Sequence, residues 1–488
     1  MEEIVILENL KPQEVFLFFE EMSRIPHGSN NEKGISDYFV AFAKERDLWV
    51  HQDAALNVIM KKPGTKGHEF APIVIIQAHM DMVCEKNEET VHDFLRDPLK
   101  LIIDGDFLRA DGTTLGADNA IAIGMCLALL DSDNIPHPPL EVVFTTGEEI
   151  GLIGVSKLDG SLLDGRLLLN LDSGEEGVFT VTCAGGGYAH FTFCTEYDNL
   201  PSGYITQSLK VKGLKGGHSG VDITKERANS NIILARGLRA LMKKHDIQFV
   251  DIKGGAKENA IPRESEVVIA FAADKQSGIA AEVENLAEMF QHEYSLSDDG
   301  LMFYTEATSS NHEKIFRKAL CEKIVSALLL IPNGPYAMSL VFDGLTETSQ
   351  NIGILGTKEK EVFIGAGLRS AVTSRHEMLA DKNAVVAELT GAKLGISGIY
   401  PAWEYNANSA LRKKAAEVYA DIYGKEPIIS GTHGGLECGI LSDKLPGVDI
   451  ISFGPDIHEM HTPNEHVSIS SVKRVWEFLQ KFVISLAA

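Results

Sequence analysis

Two histidines and five carboxylates stand where an apolar strand pattern has just ended or a helix pattern is about to begin. His79-Met80-Asp81 closes the run Ile73-Val-Ile-Ile-Gln-Ala78, Glu148-Glu149 follow Leu140-Glu-Val-Val-Phe-Thr-Thr146, and Asp172 follows Leu167-Leu-Leu-Asn-Leu171. His461 comes shortly after Val448-Asp-Ile-Ile-Ser-Phe453, and Asp118 lies in Gly116-Ala-Asp-Asn119 just before the apolar stretch Ala120 to Leu130. Open α/β sheets present their ligands at the carboxyl ends of strands, so the placement itself favours chemistry.

Taken singly, each position has a plain structural explanation. A His and an Asp two apart at a strand end ordinarily make a surface hydrogen bond, Asp118 could merely cap a helix, and adjacent glutamates are commonly solvated acidity. Taken together, one metal centre explains all five loops. Imidazole nitrogen and carboxylate oxygen are zinc ligands, and a catalytic zinc keeps three protein ligands and an open position. Two His and three carboxylates supply three ligands to each of two ions if one carboxylate bridges, and Asp118 is the natural bridge. Competing chemistries lack their signals: there is no His-Glu-x-x-His, no Gly-x-x-x-x-Gly-Lys-Ser/Thr and no Gly-x-Ser-x-Gly, and Gly185-Gly-Gly187 lacks the dinucleotide spacing.

The elements that must position these residues are readable in outline. Residues 13–24 and 33–47 have helical periodicity, separated by the turn formers Pro26 to Asn31. Strand and helix patterns alternate over 72–172 and return over 408–488, with strands apolar nearly throughout, as in a sheet covered by helices on both faces. Between them, strands are more alternating and helices longer, with helices expected over 226–245, 278–292, 313–330 and 376–394. The expected fold class is α/β, a doubly wound domain (1–184 and 402–488) interrupted by a large α+β domain of two similar halves (185–401).

At 488 residues, 44% hydrophobic and 23% charged, the chain can bury more than one core. Forty-five Lys plus Arg against 69 Asp plus Glu leave a net charge of −24, which argues against a nucleic-acid partner. The acidic start Met1-Glu-Glu lacks the basic region of a signal peptide. No window approaches the ~20 apolar residues of a spanning helix, which argues against membrane insertion. Six scattered cysteines without Cys-x-x-Cys suit reduced thiols, and a cytoplasmic location is expected.

The ordered motifs Ile25-Pro-His-Gly-Ser29, His79-Met-Asp81, Gly116-Ala-Asp-Asn119, Thr145-Thr-Gly-Glu-Glu-Ile-Gly151, Asn170-Leu-Asp-Ser173, Gly216-Gly-His-Ser-Gly220, Asn259-Ala-Ile-Pro262, Gly454-Pro and His461 carry a resemblance. Through them the chain resembles the co-catalytic di-zinc metallopeptidases, the aminoacylase and carboxypeptidase G-like family, and within it the aminoacyl-histidine dipeptidase branch. The resemblance covers essentially the whole chain and implies a zinc domain interrupted by a lid, with two Zn2+ ions for which Co2+ or Mn2+ could substitute. By position it implies His79, Asp118 and Asp172 on one zinc and Asp118, Glu149 and His461 on the other. It implies Glu148 as general base beside a zinc-activated water, and Asp81 as the partner that orients His79. His218 would reach from the lid to the tetrahedral oxyanion. Asn259 and Arg369 would hold substrate, the guanidinium suiting a terminal carboxylate, and Thr432 in Gly431-Thr-His-Gly-Gly435 would line the same cleft.

The implied reaction is metal-dependent hydrolysis of the peptide bond of dipeptides, Xaa-His and broader unblocked dipeptides. An N-acyl amino acid deacylase of the same superfamily is the nearest alternative. A catalytically inactive peptide binder is a more distant one, which would have no need of Glu148. A homodimer is compatible with the resemblance. Smaller relatives with a single lid unit take the lid histidine from a partner subunit, whereas the long insertion here is expected to let His218 serve its own chain. Gly147 and Gly174 stand where close relatives would carry polar or acidic residues, which bears on substrate preference rather than on metal ligation.

Overall fold

The computed structural model describes residues 5–308 and 312–487, so the opening Met1 to Ile4 of the acidic amino terminus lies outside the described residues. The chain divides into two compact units, one formed by Met1–Thr182, Tyr405–Gly431 and Leu436–Ala488 and the other by Cys183–Glu404 and Thr432–Gly435.

The first unit is built on an eight-stranded mixed sheet. Its strands are β1 (Trp49–Gln52), β2 (Val58–Lys62), β3 (Val74–His79), β4 (Leu140–Thr145), β5 (Leu167–Asn170), β6 (Val178–Cys183), β7 (Ile428–Thr432) and β8 (Asp449–Ser452). Their order across the sheet is β1-β2-β4-β3-β5-β8-β6-β7. The central four, β4, β3, β5 and β8, run parallel, with His79 opposite Thr145, Gln77 opposite Asn170 and Ser452 opposite Asn170. Every residue of β3 and β4 is buried, which is why both read as continuous apolar runs rather than alternating ones. Each fully buried Val or Ile here contributes roughly 1.5–3 kcal/mol.

Helices cover this sheet: α1 (Gln13–Ser23), α2 (Lys33–Glu45), α3 (Ala117–Asp131), α4 (Ala410–Tyr423), α5 (Glu437–Lys444) and α6 (Ile469–Ser485). α3 is buried on nearly all sides, between α1, α6 and β3, as expected of a helix apolar all round. Gly124 makes this approach feasible, since a Cβ there would lie 2.9 Å from the Val15 carbonyl. A small four-stranded sheet ties two distant segments together, pairing His466–Ser468 with Phe107–Ala110 on one side and Ile457–His458 on the other.

The second unit is built on an antiparallel sheet of nine strands, with two small two-stranded sheets beside it. Four strands of the large sheet, between Tyr204–Lys212 and Met302–Ala307, carry the helices Ser230–Lys244 and Gln276–Glu293, four others carry Thr373–Thr390, and Lys318–Leu330 packs between Ser230–Lys244 and Thr373–Thr390. The two sets meet through a single pair, Gly254 opposite Leu355. They are interleaved along the chain, because Gly185–Cys194 precedes the first set yet pairs with Glu361–Ser370 in the second. Three expected helices are also shorter than their patterns, that over 226–245 forming only from Ser230 to Lys244. Lys314–Phe316 pairs with Tyr197–Asn199 before a helix starts at Lys318. Thr373–Thr390 ends at Gly391, in the left-handed conformation, and Lys393–Tyr400 continues as an edge strand.

Candidate metal centre

The parallel strands of the first unit end at one edge, and their following residues converge there. His79 is the last residue of β3, Glu148 and Glu149 follow β4, Asp172 follows β5, and His461 lies in the loop after β8. Asp118 joins them from the first turn of α3. After β4 the chain turns at Gly147 with φ +59°, where a Cβ would sit 3.2 Å from that of Ile153, so a side chain at this position would be both strained and crowded.

Asp118 sits between the two imidazoles, its Oδ1 3.1 Å from His79 Nε2 and its Oδ2 3.3 Å from His461 Nε2. Asp172 Oδ1 is 3.6 Å from His79 Nε2, and Glu149 Oε1 is 3.1 Å from His461 Nε2. Three overlapping groups of ligand atoms result: His79 with Asp118 and Asp172, Asp118 with Glu149 and His461, and His79 with Glu148 and Glu149. Glu149 Oε1 makes no hydrogen bond despite its nearness to His461. A buried carboxylate oxygen without a partner is costly, and hard or borderline divalent cations are the groups that N/O donors so arranged would satisfy. The residues therefore fit a metal.

Asp81 holds this edge together. The His79 Nδ1 proton goes to the Asp81 main-chain oxygen at 3.0 Å, whereas the Asp81 carboxylate stands 3.6 Å from Nδ1, too far for a hydrogen bond. Residue 81 thus sets the tautomer through its backbone, leaving Nε2 to face Asp118. Its carboxylate is used elsewhere, accepting from Ser29 Oγ at 2.7 Å and from the backbone N–H groups of Glu148 and Glu149 at 3.0 and 3.3 Å. Asn119 donates to Asp172 Oδ1 at 2.8 Å.

The electrostatics without a metal are those of a negative cluster holding protons. For His79, burial alone would lower the pKa, but Asp118, Asp172 and Asp81 together raise it well above the usual value. His461 is pushed up to about 10 by the carboxylates of Asp118 and Glu149 beside it. Burial works against ionisation of Asp118, yet the two imidazoles outweigh it and hold its pKa below the ordinary carboxylate range. Glu148 goes the other way, lifted by burial and, despite His79, by the charges of Asp172, Glu149 and Glu437. Burial likewise raises Glu149 against the pull of His461.

Two buried glutamates beneath the edge are not recognisable in the sequence. Glu437, at the start of α5 and wholly buried, accepts from Thr145 Oγ1 at 2.6 Å and from Gln77 Nε2, and Gln77 Oε1 accepts from Asn170 at 2.7 Å. This network joins β4, β3 and β5 just behind the ligand-bearing positions, and burial raises Glu437 to about 8. Glu465 is 2% exposed, accepts three backbone N–H groups around Asp118, and is raised to about 7 by burial. Nothing local marks either one, since the first reads as an ordinary acid in a helix's first turn and the second as part of a polar loop.

The remaining expected residues lie in the second unit. His218 Nδ1 accepts the N–H groups of Gly220 and Val221 at 3.2 and 3.3 Å, which places the proton of the neutral ring on Nε2. Burial and then the charge of Arg369 lower its pKa. Asn259 is exposed at the tip beside the pair His218 and Ala260, with its carbonyl accepting from Ser219 N at 2.9 Å. Arg369 donates to Tyr400 Oη at 3.3 Å and to the His433 carbonyl at 3.5 Å. Thr432 Oγ1 is occupied by the N–H of Gly434. Its neighbour His433 is the buried residue of that loop, hydrogen-bonded to Ser349 at 2.7 Å with Nδ1 unpartnered.

The chain is similar to known peptidases. The model of peptidase family M20/M25/M40 matches residues 75–485. The chain is 36% identical over 482 residues to the cytosol non-specific dipeptidase of Escherichia coli (strain K12), covering 99% of each protein. The crystal structure of aminoacylhistidine dipeptidase from Vibrio alginolyticus matches with a TM-score of 0.89 and 38% identity over 98% of both chains. A tripeptidase from Staphylococcus aureus subsp. aureus mu50 shares the fold, with a TM-score of 0.56 and 18% identity over 98% of this chain and 99% of that one.

Proposed function

The chain belongs to peptidase family M20/M25/M40, and on that premise we propose how its residues carry out hydrolysis of dipeptides. It is a metallopeptidase acting on dipeptides, and its substrates are unblocked dipeptides with Xaa-His among them. We take the first unit as the catalytic domain and the second as the lid.

One observation supports the reading of the centre: Asp118 presents a different carboxylate oxygen to each imidazole, Oδ1 to His79 and Oδ2 to His461. His79, Asp118 and Asp172 would hold one Zn2+ and Asp118, Glu149 and His461 the other, with Co2+ or Mn2+ able to replace it. Such ions supply Lewis acidity, polarising the scissile carbonyl and easing deprotonation of water.

The protein's own groups do the rest. Glu148, whose pKa is lifted mainly by burial, takes a proton from the attacking water as its oxygen bonds to the carbonyl carbon. It passes that proton to the amide nitrogen as the C–N bond breaks, releasing an acid and an amine. Asp81 fixes the positions of His79 and of the Glu148 main chain. His218 offers an Nε2–H to the developing oxyanion. Arg369 suits the substrate carboxylate, while Asn259 and Thr432 line the substrate cleft. No helix among the described residues is long and apolar enough to cross a membrane, and the six unbridged cysteines suit a cytoplasmic enzyme.

Turnover of Ala-His and of N-acetyl-His, measured before chelation, after it, and after return of Zn2+, tests this reading. Loss and recovery with Ala-His preferred is the expected result. Chelator-resistant activity after verified metal removal would defeat the mechanism, and preference for the acylated substrate would make the enzyme a deacylase.

A further inference from the structure

Glu465 lies four residues beyond His461 and is buried, and its carboxylate serves a segment some 350 positions earlier in the chain. Its Oε2 accepts the N–H groups of Leu115 and Gly116 at 2.8 and 3.0 Å, and its Oε1 that of Asp118 at 3.3 Å. These are N–H groups at the start of α3, where no side chain from the helix's own N-cap, Gly116, is available and where orphan donors must otherwise find partners. The bland function of such a carboxylate is a helix cap supplied from a distance.

The two segments it joins are not arbitrary, since one presents Asp118 and the other His461. His461 itself has little else to fix it. Its side chain is 51% exposed, its backbone adopts φ +63°, and among the described residues its side-chain partners are Asp118 and Glu149. The small sheet pairing His466 with Arg109 brings the segments near one another, and the Glu465 carboxylate extends that tie to the backbone at Asp118. We infer that Glu465 is a positioning residue that sets the separation of Asp118 and His461, and so the affinity of the ion they share. This rests on the reading that both residues hold a metal.

The test measures Zn2+ dissociation constants by competition with a chromophoric chelator, and the visible absorption of the Co2+-loaded protein, for wild type, Glu465→Ala, Glu465→Gln and His461→Ala. Partners that orient ligands are typically worth about 10- to 100-fold in metal affinity. Glu465→Ala should weaken one ion by that factor and alter the Co2+ spectrum. Glu465→Gln, which keeps one oxygen for Leu115 and Gly116 but turns an amide N–H toward Asp118 N, should fall between it and wild type. A mere cap would lower the melting temperature of the metal-free protein while folded molecules bound metal as before. Wild-type affinity and spectrum in both folded variants, or in Glu465→Gln alone if the alanine variant does not fold, overturns the inference. His461→Ala provides the separate check: unchanged metal binding in that variant would instead overturn the reading of the metal centre.

Discussion

The carboxylate of Asp81 accepts the backbone N–H of Glu148 at 3.0 Å while the main chain of the same residue accepts the His79 ring proton at 3.0 Å. One residue therefore orients a proposed metal ligand and the proposed base, using different atoms for each.

Because Glu148 is held by its backbone, its side chain can be altered without loosening the site. Glu148→Gln should retain both ions and the native fold while losing about 10²- to 10⁴-fold in kcat. Metal analysis and steady-state kinetics on the same preparation check this, and near-wild-type turnover at full metal occupancy would remove Glu148 from the reaction.

Metal loading should release protons. Without metal, His461 has a pKa of about 10 and His79 one well above its usual value, so both rings are protonated at pH 7, whereas a ligating imidazole must be neutral. Affinity should therefore rise as the pH is raised toward about 10 and fall on acidification. Calorimetry in buffers of different ionisation enthalpy counts the protons, and an absence of release at pH 7 would contradict the proton-holding cluster.

Glu437 gives the metal-free protein a second pH dependence. Its folded pKa of about 8 exceeds the ordinary 4.5, so between these values the native state holds a proton that the unfolded chain has lost. Stability from this group is complete below about pH 4.5 and declines as pH rises through about 8, by up to ~1.4 kcal/mol per pH unit. Glu437→Gln, uncharged throughout, should lack this decline. Parallel melting-temperature profiles for the two proteins from pH 5 to 8 would refute it.

His218 should act on the reaction of its own chain, even where two chains associate. Mixing inactive His218→Ala with inactive Glu148→Ala under conditions that exchange subunits should recover no activity. Recovery would mean that the histidine is supplied across subunits.

That the proposed metal ligands cluster was legible because each follows an apolar strand or opens an apolar helix, and local patterning is what sequence reveals best. The nearness of Asp81 to His79 was legible, but not the division of labour between its carboxylate and its carbonyl, which depends on a 3.6 Å and a 3.0 Å distance. Glu437 and Glu465 were not legible because their partners, Gln77, Thr145 and the N–H groups around Asp118, are brought to them only by the fold. Lys314–Phe316 misled for a similar reason: its residues extend the helical pattern of Lys318–Leu330, and pairing with Tyr197–Asn199 overrides that local preference. Thr432 and His433 are adjacent, and only packing reveals that His433 is the buried member of the pair.

The strand β8 lies inside the sheet between β5 and β6 although some 270 residues separate it from them in the chain. On the ribosome, where chains emerge amino terminus first, β3, β4 and β5 and four of the five proposed ligands appear long before the strand that completes their sheet. His461, Glu437 and Glu465 follow only some 260 or more residues after β5. A nascent or truncated chain that stops short of β8 thus lacks the residues proposed to complete the centre.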